Sequence, residues 1–134
     1  MLTDEIKKLF ESQDIVAFAT ADEAGNPNVA PIYWKKIVND STIWLIDNYM
    51  LITAENIQNN PKVCVSFWDD NAGEGYKFKG EAVYHTSGDT FEDGKKWIQS
   101  INAQKNPKGV VEIKITEVYT QQPGPEAGKR IDEK

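Results

Sequence analysis

The segment from Asp47 to Trp68 constrains the fold of this chain more than any other. A β-rich stretch ends at Asp47-Asn48-Tyr49 and passes into a short helical run around Thr53-Ala54-Glu55-Asn56-Ile57. The run stops at Asn59-Asn60-Pro61, and the apolar strand Lys62-Val63-Cys64-Val65-Ser66-Phe67-Trp68 follows. A strand that feeds the start of a helix brings unpaired backbone N–H groups and the positive end of the helix dipole to one point, which suits an anion. The same pattern also fits a crossover helix that merely plugs the end of a barrel. Local sequence leaves both readings open.

The surrounding pattern is mostly β. Leu2, Ile6, Leu9 and Phe10 recur at helical spacing behind Thr3, which is placed to cap a first helix with Asp4 and Glu5 in its opening turn. Asp14 to Ala21 reads as a strand that is apolar on both faces at Ile15-Val16-Ala17-Phe18-Ala19, so cover is expected from a barrel interior on one side and a helix or partner on the other. After a turn at Glu23-Ala24-Gly25-Asn26, a returning strand is expected over Asn28 to Val38, with Pro31 marking an edge or a bulge. Thr42 to Ile46 forms the third strand. Beyond the crossover, Tyr76, Phe78, Gly80, Ala82 and Tyr84 alternate onto one strand face. Thr90 is then placed to cap a helix reaching about Gln104. The last strand runs from Gly109 to Tyr119, with Val111, Ile113 and Ile115 inward.

At 134 residues the length prior gives one domain, spanning 1–120, with a Pro/Gly-rich tail over 121–134. The expected fold is mainly β with flanking helices: six strands in a small closed or partly closed barrel. Short length, doubly apolar strands and four tryptophans lead to the expectation of a homodimer. A net charge of −6 and a pI near 4.8 argue against a dedicated nucleic-acid partner. No apolar run approaches membrane-spanning length, and Cys64 stands alone, so a membrane role is not expected and a cytoplasmic location is.

Side-chain chemistry is sparsely supplied. His85 is the one histidine and lies at a strand end, Cys64 has the spacing of a small core residue, and neither zinc-ligand spacing nor a phosphate-binding glycine loop occurs. A chain so poor in catalytic side chains can still do chemistry if a cofactor brings it.

The order of elements then becomes informative. A leading helix, Ile15-Val16-Ala17-Phe18-Ala19-Thr20, the Gly25-Asn26-Pro27 turn, Asn28-Val29-Ala30-Pro31-Ile32-Tyr33-Trp34, the Asp47–Pro61 crossover, Val63-Cys64-Val65-Ser66-Phe67 and Phe78-Lys79-Gly80-Glu81-Ala82 follow one another. Over Met1 to Tyr119 this resembles the pyridoxamine-phosphate-oxidase-like FMN-binding split-barrel superfamily, and within it the short stand-alone FMN-binding proteins.

That resemblance implies a six-stranded antiparallel split β-barrel, homodimeric, with FMN at the subunit interface. It implies that Ala30, Pro31, Ile32 and Tyr33 lie along the isoalloxazine, and that Asp47, Asn48 and Tyr49 border the ring or the ribityl chain. Thr53 would bind the phosphate through its hydroxyl and backbone N–H. Ile52 stands where many relatives carry Lys or Arg, which removes a charge-assisted contact; Lys79, Lys35 and Lys36 are each either the replacement cation or an ordinary solvated lysine. The tail is expected to reach across the partner's cofactor site with Lys129 or Arg130.

The function implied is that of a flavin-dependent oxidoreductase acting on a small-molecule substrate or redox partner. Pyridoxamine-phosphate oxidation itself is not expected, because Arg130 is the chain's single arginine and no basic substrate motif ends the sequence. The alternatives are a non-enzymatic FMN store or electron carrier, or a split barrel that has lost flavin. Deazaflavin and haem are the other cofactors known on the same scaffold.

Overall fold

The computed structural model describes residues 1–132 of the chain, so Glu133 and Lys134, the last two of the expected tail, lie outside the described residues. Three helices, α1 (Asp4–Ser12), α2 (Ile52–Asn59) and α3 (Gly88–Ile101), accompany seven strands. These are β1 (Val16–Ala21), β2 (Pro27–Ile32), β3 (Lys35–Asn39), β4 (Thr42–Asp47), β5 (Lys62–Asp69), β6 (Glu74–His85) and β7 (Gly109–Thr120). All seven join one antiparallel sheet in the order β2-β1-β5-β6-β7-β4-β3.

The strand number corrects the expectation of six. The stretch Asn28–Val38 is two strands, broken at Tyr33-Trp34, and the halves lie at opposite edges of the sheet. A flat sheet of this order would hold those edges about 29 Å apart at the usual strand spacing. The link from Ile32 to Lys35 reaches only about 10 Å. The sheet is therefore rolled so that its edges approach, yet β2 and β3 do not pair, which leaves a seam. Pro31 is accommodated because β2 is an edge strand, where a missing ladder donor is tolerated.

The rolled sheet encloses the core. Val16 and Phe18 from β1, Val65 and Phe67 from β5, Phe78 and Ala82 from β6, and Val111, Ile113 and Ile115 from β7 all point inward. The period-2 alternation in β6 and β7 fell on these faces because successive strand side chains alternate sides. α1 presents Ile6, Leu9 and Phe10 to this core, and Phe10 meets Phe67 edge-on at 5.2 Å and Phe78 at 5.9 Å. Its cap is the one read from sequence: Thr3 Oγ1 accepts from the Ile6 N–H at 3.3 Å.

α2 closes one end. Thr53, Ala54, Asn56 and Ile57 are its buried residues, and Asn56 Nδ2 donates to Thr20 Oγ1 at 3.1 Å on the inward face of β1. The Asn60 N–H donates to Asn56 O at 2.7 Å, and Pro61 prevents continuation. α3 starts earlier than expected, at Gly88 behind Ser87 rather than at Thr90, and ends at Ile101. Gly88 supplies the positive φ of 86° that turns the chain out of β6, so the helix opens as soon as the strand ends. Ile98 of α3 packs with Ile46 and Val110 in a second, smaller apolar cluster, flanked by Trp34, Trp44, Phe91 and Trp97.

The tail folds back along the outer half of β7. The Thr120 N–H donates to Lys129 O at 3.0 Å and the Ile131 N–H to Val118 O at 2.8 Å, with a bridge between Tyr119 and Arg130. No helix among the described residues is long and apolar enough to cross a membrane.

Candidate functional site

A cleft of about 650 Å³ opens at the seam of the rolled sheet. This lies within the range of small-molecule and cofactor sites, about 300–1,000 Å³. One wall is the end of β2 and the crossing segment: Ala30, Pro31, Ile32, Tyr33 and Trp34. The opposite wall is Asn48, Tyr49 and Met50, the loop leading from β4 to α2. Ile46 contributes from β4, and Asn102 and Lys105 from the loop after α3. Tyr33 and Trp34 meet edge-to-face at 5.0 Å, and Lys105 Nζ lies 5.7 Å from the Trp34 ring centre. The lining thus offers apolar and aromatic surface, backbone groups and two amide side chains, Asn48 and Asn102.

Six of the ten residues singled out from sequence come together here: Ala30, Pro31, Ile32, Tyr33, Asn48 and Tyr49. Ile52 and Thr53 follow the N-cap residue Leu51 as the first two residues of α2. Among the described residues no side chain caps this helix, so its first N–H groups are available at the end of the Tyr49–Met50 wall. Thr53 is buried and its Oγ1 accepts from Asn28 Nδ2 at 3.2 Å. Ile52 is 56% exposed at the same helix end.

Two of the ten sit elsewhere. Asp47 is wholly buried beneath the wall; Oδ1 accepts from the Met50 N–H at 2.7 Å and Oδ2 accepts from the Tyr84 hydroxyl. Lys79 lies on β6, with Nζ 5.2 Å from the Tyr119 ring, in a separate shallow groove of about 330 Å³ with Lys62, Glu81 and Glu117. Lys35 is half-buried over Phe10, and desolvation pushes its ammonium below the usual lysine range. Lys36 lies over Trp97. In the tail, Lys129 pairs with Glu126 at 3.0 Å, while Arg130 bonds Asp132 and Glu117.

Sequence reasoning missed Trp34, Ile46, Met50, Asn102 and Lys105 as lining residues. No local motif marks Asn102 or Lys105; they reach the cleft because Gln99 Nε2 holds Lys105 O at 2.9 Å and folds the loop back against α3. Among the described residues of the lining, Lys105 carries the one charge, and no carboxylate, thiol or imidazole faces the space. His85 is remote from this lining and pairs with Glu112 at 3.2 Å. Burial raises the Cys64 thiol above its ordinary pKa, which keeps it a thiol.

A second cleft of about 580 Å³ shares Ala30 and Pro31 with the first and continues over Ile15, Ala17, Val29 and Trp68 to the end of α1. Ile15, Val29 and Trp68 are each more than half exposed.

The chain as a whole is similar to known proteins. The family model for pyridoxamine 5'-phosphate oxidase matches residues 2–122. An uncharacterized protein of Methanocaldococcus jannaschii is 37% identical over 132 residues, covering 97% of this chain and 87% of its own. The crystal structure of HupZ from Group A Streptococcus superposes with a TM-score of 0.84 at 33% identity, covering 96% of this chain and 100% of that one. An FMN-binding protein of Syntrophomonas wolfei shares the fold at 19% identity and a TM-score of 0.73, covering 85% and 82%. The fold also carries the heme storage protein HutZ of Vibrio cholerae (16%, TM-score 0.69, covering 88% and 93%) and an F420 reductase (15%, TM-score 0.67, covering 87% and 98%).

Proposed function

Because the chain belongs to the pyridoxamine 5'-phosphate oxidase family, we propose that it binds FMN in the seam cleft and acts as a flavin-dependent oxidoreductase on a small-molecule substrate. One observation carries this reading. A cleft walled by Ala30–Tyr33 on one side and Asn48–Met50 on the other adjoins, two residues further along the chain, the uncapped start of α2, whose first turn carries Thr53. A flavin needs that combination: apolar walls for the ring and directed donors for the phosphate.

The residues present fit the group. Ala30, Pro31, Ile32 and Tyr33 would hold the ring, Asn48 and Tyr49 would border the ring or ribityl chain, and Thr53 would take the phosphate. Bound FMN supplies hydride or electron transfer. The chain itself orients the ring between its two walls, excludes water through Trp34, Tyr33 and Met50, and places a positive charge at Lys105 beside the slot.

A haem has less support. The chain's one histidine is held by Glu112 away from the cleft, so no imidazole of this chain faces the lining. Oxidation of a pyridoxamine phosphate is not part of the proposal, since the single arginine is engaged by Asp132 and Glu117 in the tail.

A second reading, an FMN carrier without turnover, is favoured by the lack of a carboxylate, thiol or imidazole among the cleft's described lining residues. The protein is proposed to dimerise through the exposed apolar surface at Ile15, Val29, Trp68 and Tyr33, which a monomer would leave to water.

The deciding experiment is the visible spectrum of the purified protein with and without added FMN. A yellow protein that releases FMN on denaturation supports the proposal. A colourless protein that ignores FMN removes both flavin readings, and a haem-like or deazaflavin spectrum reassigns the cofactor. Reduction by NADH or NADPH with turnover selects the enzyme over the carrier.

A further inference from the structure

The wall formed by Asn48, Tyr49 and Met50 projects at its tip, where Tyr49 is 88% exposed. Its order has to come from below. Four polar contacts converge there. The Met50 N–H donates to Asp47 Oδ1 at 2.7 Å, and the Tyr84 hydroxyl donates to Asp47 Oδ2. Lys108 clasps the same loop from β7's side: its N–H donates to Asp47 O at 2.8 Å and its Nζ donates to Met50 O at 2.5 Å, 4.0 Å from Asp47 Oδ1. Lys108 closes the segment that carries Asn102 and Lys105, so the clasp joins two walls of one cleft.

The geometry points to Asp47, Tyr84 and Lys108 as positioning residues: a clamp beneath the cleft that sets the Asn48–Met50 wall without touching the ligand. This rests on the FMN reading only for the ligand used as a probe. A wholly buried carboxylate is costly unless every oxygen is engaged, and here both oxygens are. Burial and the adjacent carboxylate push the Tyr84 phenol far above its ordinary pKa, so it remains a donor. Room for the phenol is itself specified. A Cβ on Gly109, which pairs with Asp47 across β4 and β7, would lie 2.5 Å from Tyr84 Cζ. Any larger residue there must drive the hydroxyl off Asp47.

Two readouts on the purified full-length protein test the clamp: hydrogen exchange of the Met50 amide without flavin, and FMN affinity by flavin fluorescence. Tyr84→Phe and Lys108→Met are expected to speed Met50 exchange and weaken FMN binding about tenfold, the scale of one lost hydrogen bond. Exchange of the Val65 and Phe78 amides in the core should stay as in the parent, and Lys108→Arg should recover much of the loss. Gly109→Ala should reproduce Tyr84→Phe. Unchanged Met50 exchange in Tyr84→Phe and Lys108→Met overturns the clamp. Faster exchange with unaltered FMN affinity overturns its role in the site. If the parent protein ignores FMN while Met50 exchange still rises, the flavin reading fails and the clamp stands. Should Tyr84→Phe not fold, Lys108→Met, altered at a half-exposed side chain, carries the test.

Discussion

Asn28 on edge strand β2 donates its side-chain amide to the hydroxyl of Thr53 in the first turn of α2, at 3.2 Å. The contact ties one wall of the seam cleft to the helix end beside the other. It also defines what Thr53 still has to offer. A hydroxyl has one donor and two acceptor sites, and the Asn28 bond uses an acceptor. The Asn28 bond leaves the Thr53 O–H as the donor that the proposed phosphate site would use.

Thr53→Ala should therefore weaken FMN binding about tenfold, and Thr53→Ser should restore most of it, because one hydrogen bond to a charged group is worth about 1.5–3 kcal/mol. Fluorescence titration reads both. Unaltered affinity in Thr53→Ala would take this residue out of the phosphate site.

Ile52→Lys should raise FMN affinity severalfold at low salt, since a charge-assisted contact is stronger than a neutral one and screening weakens it. The flavin-free protein should be less stable by about 0.3–1 kcal/mol, because a cation at a helix N-terminus opposes the dipole. Equal affinity at all salt concentrations would show that the α2 start does not face the phosphate.

Thr20→Val leaves the buried Asn56 amide without its partner and should cost about 1–3 kcal/mol in urea unfolding. The pair Thr20→Val with Asn56→Leu should recover part of that loss, as replacing both polar partners removes the unsatisfied group. A neutral Thr20→Val would mean that the bond does not secure α2.

Gly80→Ala should be among the more damaging single-methyl changes. Its Cβ would fall 2.3 Å from Lys114 O, a backbone atom that cannot swing aside, at the irregularity between Lys79 and Gly80. An overpacking loss of about 1–3 kcal/mol is expected in thermal or urea unfolding.

The tail should detach under acid. The Arg130 guanidinium, aided by the Val118 N–H, holds the Asp132 carboxyl down to about 2, against an ordinary value of 3.8. A depressed folded-state pKa gives stability that is complete above the unfolded value and lost as pH falls through the folded one. Tail protection, followed by exchange of the Ile131 amide bonded to Val118 O, should accordingly fade between about pH 4 and pH 2. Asp132→Asn should weaken protection at neutral pH and flatten that dependence; an unaltered profile would contradict the pairing.

Much of this was legible beforehand. α1 with its Thr3 cap, the alternating faces of β6 and β7, and the Asn60-Pro61 stop of α2 all follow from local periods and turn chemistry. Family resemblance located six of the cleft residues. The strand break at Tyr33-Trp34 was hidden, because Ile32 and Lys35 each sit in acceptable strand sequence and only the rolled sheet sends them to opposite edges. Asn102 and Lys105 were likewise invisible, being polar residues in a loop with no motif.

By itself the sequence determined the three helices and most of the strands, and which face of β6 and β7 turns inward, because those choices depend on residues a few positions apart; the break between β2 and β3 does not. The tertiary structure alone decided what the strand-to-helix junction at Asp47–Thr53 became. The pairing of β7 with β4 on one side brings Lys108 to Met50 across 58 residues, and its pairing with β6 on the other places Tyr84 against Asp47 across 37. The carboxylate is thereby withdrawn beneath the cleft wall while Asn48 and Tyr49 remain on it. No local pattern encodes that division, since it depends on which strands lie side by side.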